Sequence, residues 1–187
     1  YKYGGWKNYL IDLSKGPEKV WMSLHKDRRK NINRAVKRGV IIEEITEKEL
    51  IPRFYELLSE TYTIRGTPLE PIDFFEGVFD ILVPRNMAKF YMAKYNGEYI
   101  AARLVLTYKD TVYDWHAGSC RKFLSVYPND LLVWHILKWG SENGFRTFDF
   151  GGAGEPEDMS GWVEFKRRFG GKLVNYGRYT NIHKPLK

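Results

Sequence analysis

The sequence is short of cysteine, with Cys120 the only one among 187 residues. One thiol cannot close an internal disulfide, and it excludes any zinc site built from several cysteines. His25, His116, His135 and His183 do not fall at metal-ligand spacings, so no structural metal is expected. Long apolar runs are missing too. None approaches the ~20 residues that span a bilayer. The opening Tyr1-Lys2-Tyr3-Gly4-Gly5 is not followed by the apolar stretch of a signal peptide. Together these absences predict a soluble, cytoplasmic domain with no transmembrane segment. An initiator methionine is also lacking, so the chain is expected to be a piece of something longer. Repeats, low-complexity tracts and internal linkers are absent, which leaves residues 1–187 as a single domain.

What is present points to a packed core. Hydrophobic residues make up 43 % and aromatics 16 %, far from a disordered composition. The formal net charge is +7, and its location is informative. Residues 25–38 hold Lys26, Arg28, Arg29, Lys30, Arg34, Lys37 and Arg38 against Asp27 alone, so nearly all of the net charge lies in one patch. A concentrated patch suggests an anionic partner: nucleic acid, a phosphate-bearing substrate or a membrane surface. A solvated helix face is the competing reading. For RNA, the candidate contacts are Lys26, Arg29, Lys30, Arg34 and Lys37. Arg28 differs, because it lies four residues from both Leu24 and Ile32 on the apolar stripe. It is expected to pair with a buried carboxylate.

Periodicity then predicts the elements. Residues 6–13 read as a strand. One helix runs from 14–17 to about 36, with Trp21, Leu24, Ile32 and Ala35 on its buried stripe and Gly39 beyond its end. A strand follows over 40–45, then helices over 50–63 and 73–82, separated by the loop Arg65-Gly66-Thr67-Pro68. Residues 88–95, 99–108 and 111–119 form a β-meander with turns at Asn96-Gly97 and Lys109-Asp110. If Tyr108 pairs with Thr111, Arg103 lies opposite His116, and Asp114 shares their face. Pro128-Asn129-Asp130 starts a helix ending at Asn143-Gly144. A strand over 146–150 runs into glycines, a helix spans 160–169, and a last strand spans 173–182. The fold class is therefore α/β, with helices around a mixed sheet.

Two segments carry the candidate chemistry. Phe148-Asp149-Phe150-Gly151-Gly152-Ala153-Gly154 is a strand end followed by glycines, which let backbone approach a ligand. No Lys-Ser/Thr follows, so it is not a phosphate-binding P-loop. In the next helix, Trp162, Phe165 and Phe169 form an apolar stripe that Lys166 flanks. A lysine held beside aromatics keeps its charge where it meets an anion or a cleft. There it can stabilise the oxyanion of an acyl-transfer intermediate. A lysine whose stem merely covers Trp162 is the competing reading. A Gly-x-Ser-x-Gly elbow is lacking, and Cys120 has no evident base nearby.

Four motifs in order resemble one family. Arg28-Arg29-Lys30-Asn31-Ile32-Asn33-Arg34-Ala35 with Gly39-Val40, then Pro128-Asn129 with Leu131-Leu132 and Trp134, then Phe148-Asp149-Phe150-Gly151-Gly152, then Phe165-Lys166 with Phe169-Gly170-Gly171, resemble the second acyltransferase domain of the Fem-type aminoacyltransferases. These enzymes add amino acids to peptidoglycan precursors from aminoacyl-tRNA. The similarity covers about residues 10–183. It implies the fold of the Gcn5-related N-acyltransferases and assigns catalysis to Lys166 with its neighbour Phe165. By the same resemblance and the sheet reading, Arg103, Asp114, His116, Asn129, Asp149, Gly151 and Gly152 are expected to meet substrate.

Within that superfamily, coenzyme A-dependent members carry a glycine-containing loop before the central helix, where backbone N–H groups hold the pyrophosphate. The equivalent stretch here, Arg121-Lys122-Phe123-Leu124-Ser125-Val126, has no glycine. Asp130 adds negative charge at the helix N-terminus. Coenzyme A is therefore the less expected donor, and no other cofactor is expected. Fem-type enzymes have two such domains, so this chain is expected to be the C-terminal half of a two-domain protein or a single-domain relative. The leading expectation is aminoacyl transfer from tRNA to an amine of an envelope precursor. An acyl-coenzyme A-dependent transferase of sugar or lipid amines is the second reading. A non-catalytic nucleic-acid or partner-binding domain is the third. DNA is not an expected partner.

Overall fold

The computed structural model describes residues 1–152 and 161–181. Ala153 and Gly154 of the glycine loop, Ser160 at the expected helix start, Ile182 at the expected strand end and His183 lie outside the described residues. In chain order, β1 (Lys2–Gly4) and β2 (Lys7–Asp12) precede α1 (Pro17–Ser23), α2 (Lys26–Lys37) and β3 (Ile41–Glu44). Next come α3 (Ile51–Arg65), α4 (Ile72–Leu82), β4 (Ala88–Tyr95), β5 (Glu98–Tyr108) and β6 (Thr111–Ser119). The chain continues through α5 (Pro128–Glu142), β7 (Thr147–Gly152), α6 (Gly161–Arg167), β8 (Lys172–Asn175) and β9 (Arg178–Thr180).

Among the described residues the main sheet has seven strands in the order β3-β4-β5-β6-β7-β2-β8. Every pairing is antiparallel except β6 with β7. The meander forms because its strands are largely apolar runs, buried on both faces, and its turns tolerate left-handed backbone. Asn96 (φ 50°) and Gly97 (φ 81°) make the first turn, and Lys109 (φ 52°) sits in the second. Both faces of the sheet are covered. Val20, Ile32, Leu132 and Ile136 of α1, α2 and α5 pack with Val105 and Phe148 on one side. Phe54, Leu57 and Phe75 of α3 and α4 pack with Phe90 and Leu104 on the other. The result is the mixed α/β sheet that the sequence predicts.

Three local expectations are corrected. The single helix over 14–36 is two. Leu24 is extended, and His25 caps α2 by accepting from the Asp27 N–H at 3.3 Å. A distant turn imposes the break: the His25 N–H donates to the Arg168 carbonyl at 2.9 Å, and Gly170 packs on the Ser23 backbone. The last strand is likewise two. Gly177 (φ 66°) turns the chain, so β9 leaves the main sheet and pairs with β1, a strand the periodicity did not predict.

The third correction concerns the polar residues of the meander. Tyr108 does pair with Thr111, but an irregularity between Leu104 and Val105 shifts the register beyond it. Arg103 therefore lies opposite Ala117, and His116 lies opposite Leu104. Trp115 is the extra residue. Inserting one residue moves those after it to the other face. His116 thus packs among α3 and α4 side chains, while Asp114 stays with Arg103.

Arg28 meets the carboxylate that its place on the stripe predicts, with Nη1 2.8 Å from the buried Asp130. At the joint between α3 and β6 the helix backbone approaches the sheet closely. A Cβ on Gly118 would stand 2.3 Å from the Leu57 carbonyl oxygen, which is backbone and cannot swing away. Gly118→Ala is expected to destabilise the fold by about 1–3 kcal/mol, read as a lower urea midpoint. An unchanged midpoint would mean that α3 shifts freely over β6.

Candidate functional site

β6 and β7 pair only at Thr111–Thr147, Val112–Phe148 and Tyr113–Asp149, after which they diverge. A cavity of about 780 Å³ opens between them. Arg103, Asp114 and His116 reach it from the meander, and Asn129 from the start of α5. Gly151 and Gly152 line it from β7, and Phe165 and Lys166 from α6. The cavity lies at the carboxyl ends of two diverging strands, a preferred ligand position in such sheets.

Lys166 is the best-defined group. Its ammonium donates to the carbonyls of Phe150 at 2.6 Å and Gly152 at 2.8 Å. The Trp162 ring centroid lies 5.1 Å from it. Burial lowers its pKa to about 8, with the Asp114 carboxylate opposing that shift and the Arg103 charge adding to it. An ammonium has three donors, and the third meets no acceptor among the described residues.

The glycines set how closely the walls approach. Gly151 has φ 68°, and a Cβ on it would lie 3.2 Å from both the Asp114 carbonyl oxygen and the Tyr113 hydroxyl. On Gly152 a Cβ would lie 2.7 Å from the Trp6 ring. Asp149 does not line the cavity. Its carboxylate accepts from the Asn8 amide at 2.9 Å and from the Gly151 N–H at 2.8 Å, so it holds the turn.

Arg103 and Asp114 form a buried ion pair at 2.5 Å. Arg103 Nε and Asp114 Oδ1 carry no hydrogen-bond partner among the described residues. His116 Nδ1 lies 2.8 Å from the Tyr62 hydroxyl. Burial holds the imidazole below its ordinary pKa and the phenol above its own. Both are then neutral at neutral pH, and the imidazole tautomer sets which of the two donates. Asn129 is fixed by donating to the Ser119 hydroxyl at 3.1 Å.

Sequence reasoning missed the contribution of α3. Thr61, Tyr62 and Arg65 line the cavity, as do Tyr113, Trp115 and Ser119 of β6. The only signal for the helix residues was their place just before the Arg65-Gly66-Thr67-Pro68 loop.

The basic helix has two sides. On the inner side, Asp130 also accepts from Asn31 at 3.3 Å, and the Arg28 guanidinium lies 5.1 Å from the Phe165 ring centroid. On the outer side Lys26, Lys30 and Lys37 are exposed. Arg29 is half-buried beside the Met22 sulfur at 3.6 Å. Arg34 donates to the Tyr127 hydroxyl at 3.4 Å, and Arg38 to the Ser125 carbonyl. Among the described residues no group of His, Cys, Asp and Glu could hold a metal ion. No helix among them is long and apolar enough to cross a membrane.

Solved structures share this architecture. FemX superposes with a TM-score of 0.82 at 18 % identity, over 89 % of this chain and 59 % of its own. L-PGS from Bacillus licheniformis gives 0.65 at 15 % identity, over 94 % and 60 %. An aminoglycoside acetyltransferase from an uncultured soil metagenomic sample, in complex with sisomicin, gives 0.54 at 11 % identity, over 81 % and 99 %. The chain thus spans about three-fifths of the first two. At these identities the likeness is one of fold. No curated protein sequence matches the chain significantly. The family model of the acetyltransferase (GNAT) domain matches residues 23–167, from the end of α1 through the Phe165-Lys166 pair of α6. That match spans most of the chain and the cavity with it, and the chain belongs to the acetyltransferase (GNAT) domain family.

Proposed function

We propose that this chain transfers an aminoacyl group from an ester, aminoacyl-tRNA, to an amine of a cell-envelope precursor. The observation that carries this reading is the anchored Lys166 ammonium, with its third donor left for the cavity. The acceptor amine attacks the ester carbonyl, forming the new C–N bond. The carbonyl oxygen becomes an oxyanion, which Lys166 stabilises. Collapse breaks the ester C–O bond, and the amine proton passes to the departing ribose oxygen. No protein nucleophile is required, because the ester is already activated. Phe165 packs between Arg28 and Phe169 and fixes the helix turn that carries Lys166.

Residues 121–131 bear on the donor. The segment Arg121–Val126 is a 3₁₀ turn. The N–H groups of Arg121, Phe123 and Tyr127 donate to Glu60, Cys120 and Leu124. Pro128 has no N–H, and Asp130 stands in the first turn of α5. Little remains there to cradle a pyrophosphate. The chain covers about three-fifths of FemX, and we propose that a second domain of this type holds the acceptor. The exposed cations of α2, Lys26, Lys30 and Lys37 with Arg29 and Arg34, are the proposed contacts to the tRNA backbone. The family description supports a second reading, an acyl-coenzyme A donor.

Lys166→Met keeps the stem's volume and removes the charge. It is expected to lower the transfer rate ~10²–10³-fold with the fold retained, as read by circular dichroism. An unchanged rate would reduce Lys166 to packing against Trp162. Because the charged form does the work, the ratio of wild-type to Lys166→Met transfer rates should hold level below pH 8 and fall as pH rises through about 8, the acceptor amine's own titration cancelling in the ratio. A ratio that climbs through that range instead would make Lys166 a base. Calorimetry with acetyl-coenzyme A is expected to give no micromolar binding, and micromolar binding would promote the second reading.

A further inference from the structure

Two short strands outside the main sheet present side chains that the fold does not bury. Among the described residues β1 and β9 pair only with each other, through Lys2–Thr180, Tyr3–Tyr179 and Gly4–Arg178. Directly opposed residues share a face, so Tyr3 and Tyr179 stand together, ring centroids 5.3 Å apart. Tyr3 is 53 % exposed, Tyr179 74 %, Tyr176 60 % and Tyr1 93 %. Lys2, Lys172 and Arg178 flank these rings, and residues 1–7 and 172–181 hold no Asp or Glu. Aromatic rings in water, with cations interleaved, do not make a hydrophobic core.

This face continues to the cavity. Trp6, between β1 and β2, lies against Gly152 at the splayed end of β7. The Arg178 guanidinium lies 3.3 Å from the centroid of the Trp6 ring. Its charge also acts on Tyr113, which lines the cavity. The arrangement is held in place. Asn175 Oδ1 accepts from the Trp6 N–H at 2.8 Å and the Gly177 N–H at 3.1 Å. The Tyr3 ring occupies the space that a Cβ on Gly177 would need.

We infer that the β1–β9 face, with Arg178 held over the Trp6 ring beside it, is a stacking platform for the unpaired bases at the 3′ end of the RNA donor. It would lead the terminal ester past Gly152 to Lys166. The inference rests on the aminoacyl-tRNA reading of the donor. Exposed rings accept bases of any sequence through their faces, and interleaved cations meet the phosphates. A protein partner fits less well, because interface cores are depleted of charge. A duplex offers no free base faces.

The test uses the full chain and a labelled single-stranded RNA of about six nucleotides ending in CCA, read by fluorescence anisotropy. A base–aromatic stack of 1–3 kcal/mol corresponds to roughly 5–150-fold in affinity. The paired substitutions Tyr3→Ala and Tyr179→Ala are expected to weaken binding by at least that lower factor. The paired substitutions to Phe should restore it, and binding of a duplex of equal length should change less than twofold. Single-strand binding within twofold of wild type in the Ala pair would overturn the platform, as would equal weakening of the duplex. Transfer from subsaturating aminoacyl-tRNA at an unchanged rate in the Ala pair would also overturn it, while leaving the donor reading standing. Single-strand binding lost in the Ala pair, in a protein that transfers only from acyl-coenzyme A, would uphold the surface and defeat the donor reading.

Discussion

β6 and β7 run parallel for three residue pairs and then part, and the site follows from what that parting leaves unmet. A strand that loses its neighbour exposes backbone carbonyls, which need partners wherever water is scarce. Two of them, from Phe150 and Gly152, are satisfied by the ammonium of Lys166. The lysine is thereby located by backbone, which holds position better than another flexible side chain would. Gly151 and Gly152 belong to the same solution. Their missing side chains let β7 turn beside Asp114 and Tyr113 on one side and Trp6 on the other. The carboxylate of Asp149 then fixes the turn through the Gly151 N–H.

The charges around the opening are arranged so that most cancel. Arg103 and Asp114 neutralise each other at 2.5 Å. Arg28 and Asp130 do the same behind Phe165 at 2.8 Å. Burial alone pushes the Asp130 carboxyl up, and the Arg28 charge opposes it. Removing either partner of such a pair strands a buried charge, so each pair specifies one packing more than it adds stability. The second pair also joins the two uses of α2. Its inner side holds the start of α5 and the Phe165 ring, while its outer lysines stay in water. The concentration of positive charge in residues 25–38 is therefore partly structural, a distinction that composition does not make.

What the sequence made legible was whatever local periodicity controls. The meander and its turns could be read because short apolar runs bounded by Asn96-Gly97 and Lys109-Asp110 act within a few residues. Lys166 could be read because helix geometry alone places it next to Trp162 and Phe165. The bulge at Trp115 could not, since one inserted residue leaves the alternation on either side intact while reversing the faces. The break at Leu24 could not, because the turn that imposes it lies far along the chain at Arg168 and Gly170. Tyr62 and Arg65 escaped notice because the amphipathic pattern of α3 reports which side is buried. It does not report that one end of that side overlooks a cavity.

The state of Lys166 shows how position and charge bear on each other. Its pKa is lowered to about 8 chiefly by burial. In the folded chain the neutral amine is therefore favoured more than in the unfolded one, where the value is near 10.5. Between those values the unfolded chain holds the extra proton, so stability rises with pH from about 8 towards 10.5. At neutral pH the charge is kept at some cost to folding. The two carbonyls hold that cost down without neutralising the ammonium, because a carbonyl brings a dipole and no formal charge. A carboxylate in their place would have raised the pKa and cancelled the field. The same scarcity of water that makes the charge costly also screens it little, so it acts strongly on any negative charge that develops within reach. A methionine would fill the same space beside Trp162 but would leave the Phe150 and Gly152 carbonyls without their donor. The lysine thus ties the splayed end of β7 to α6, and the same charge stands in the cavity wall.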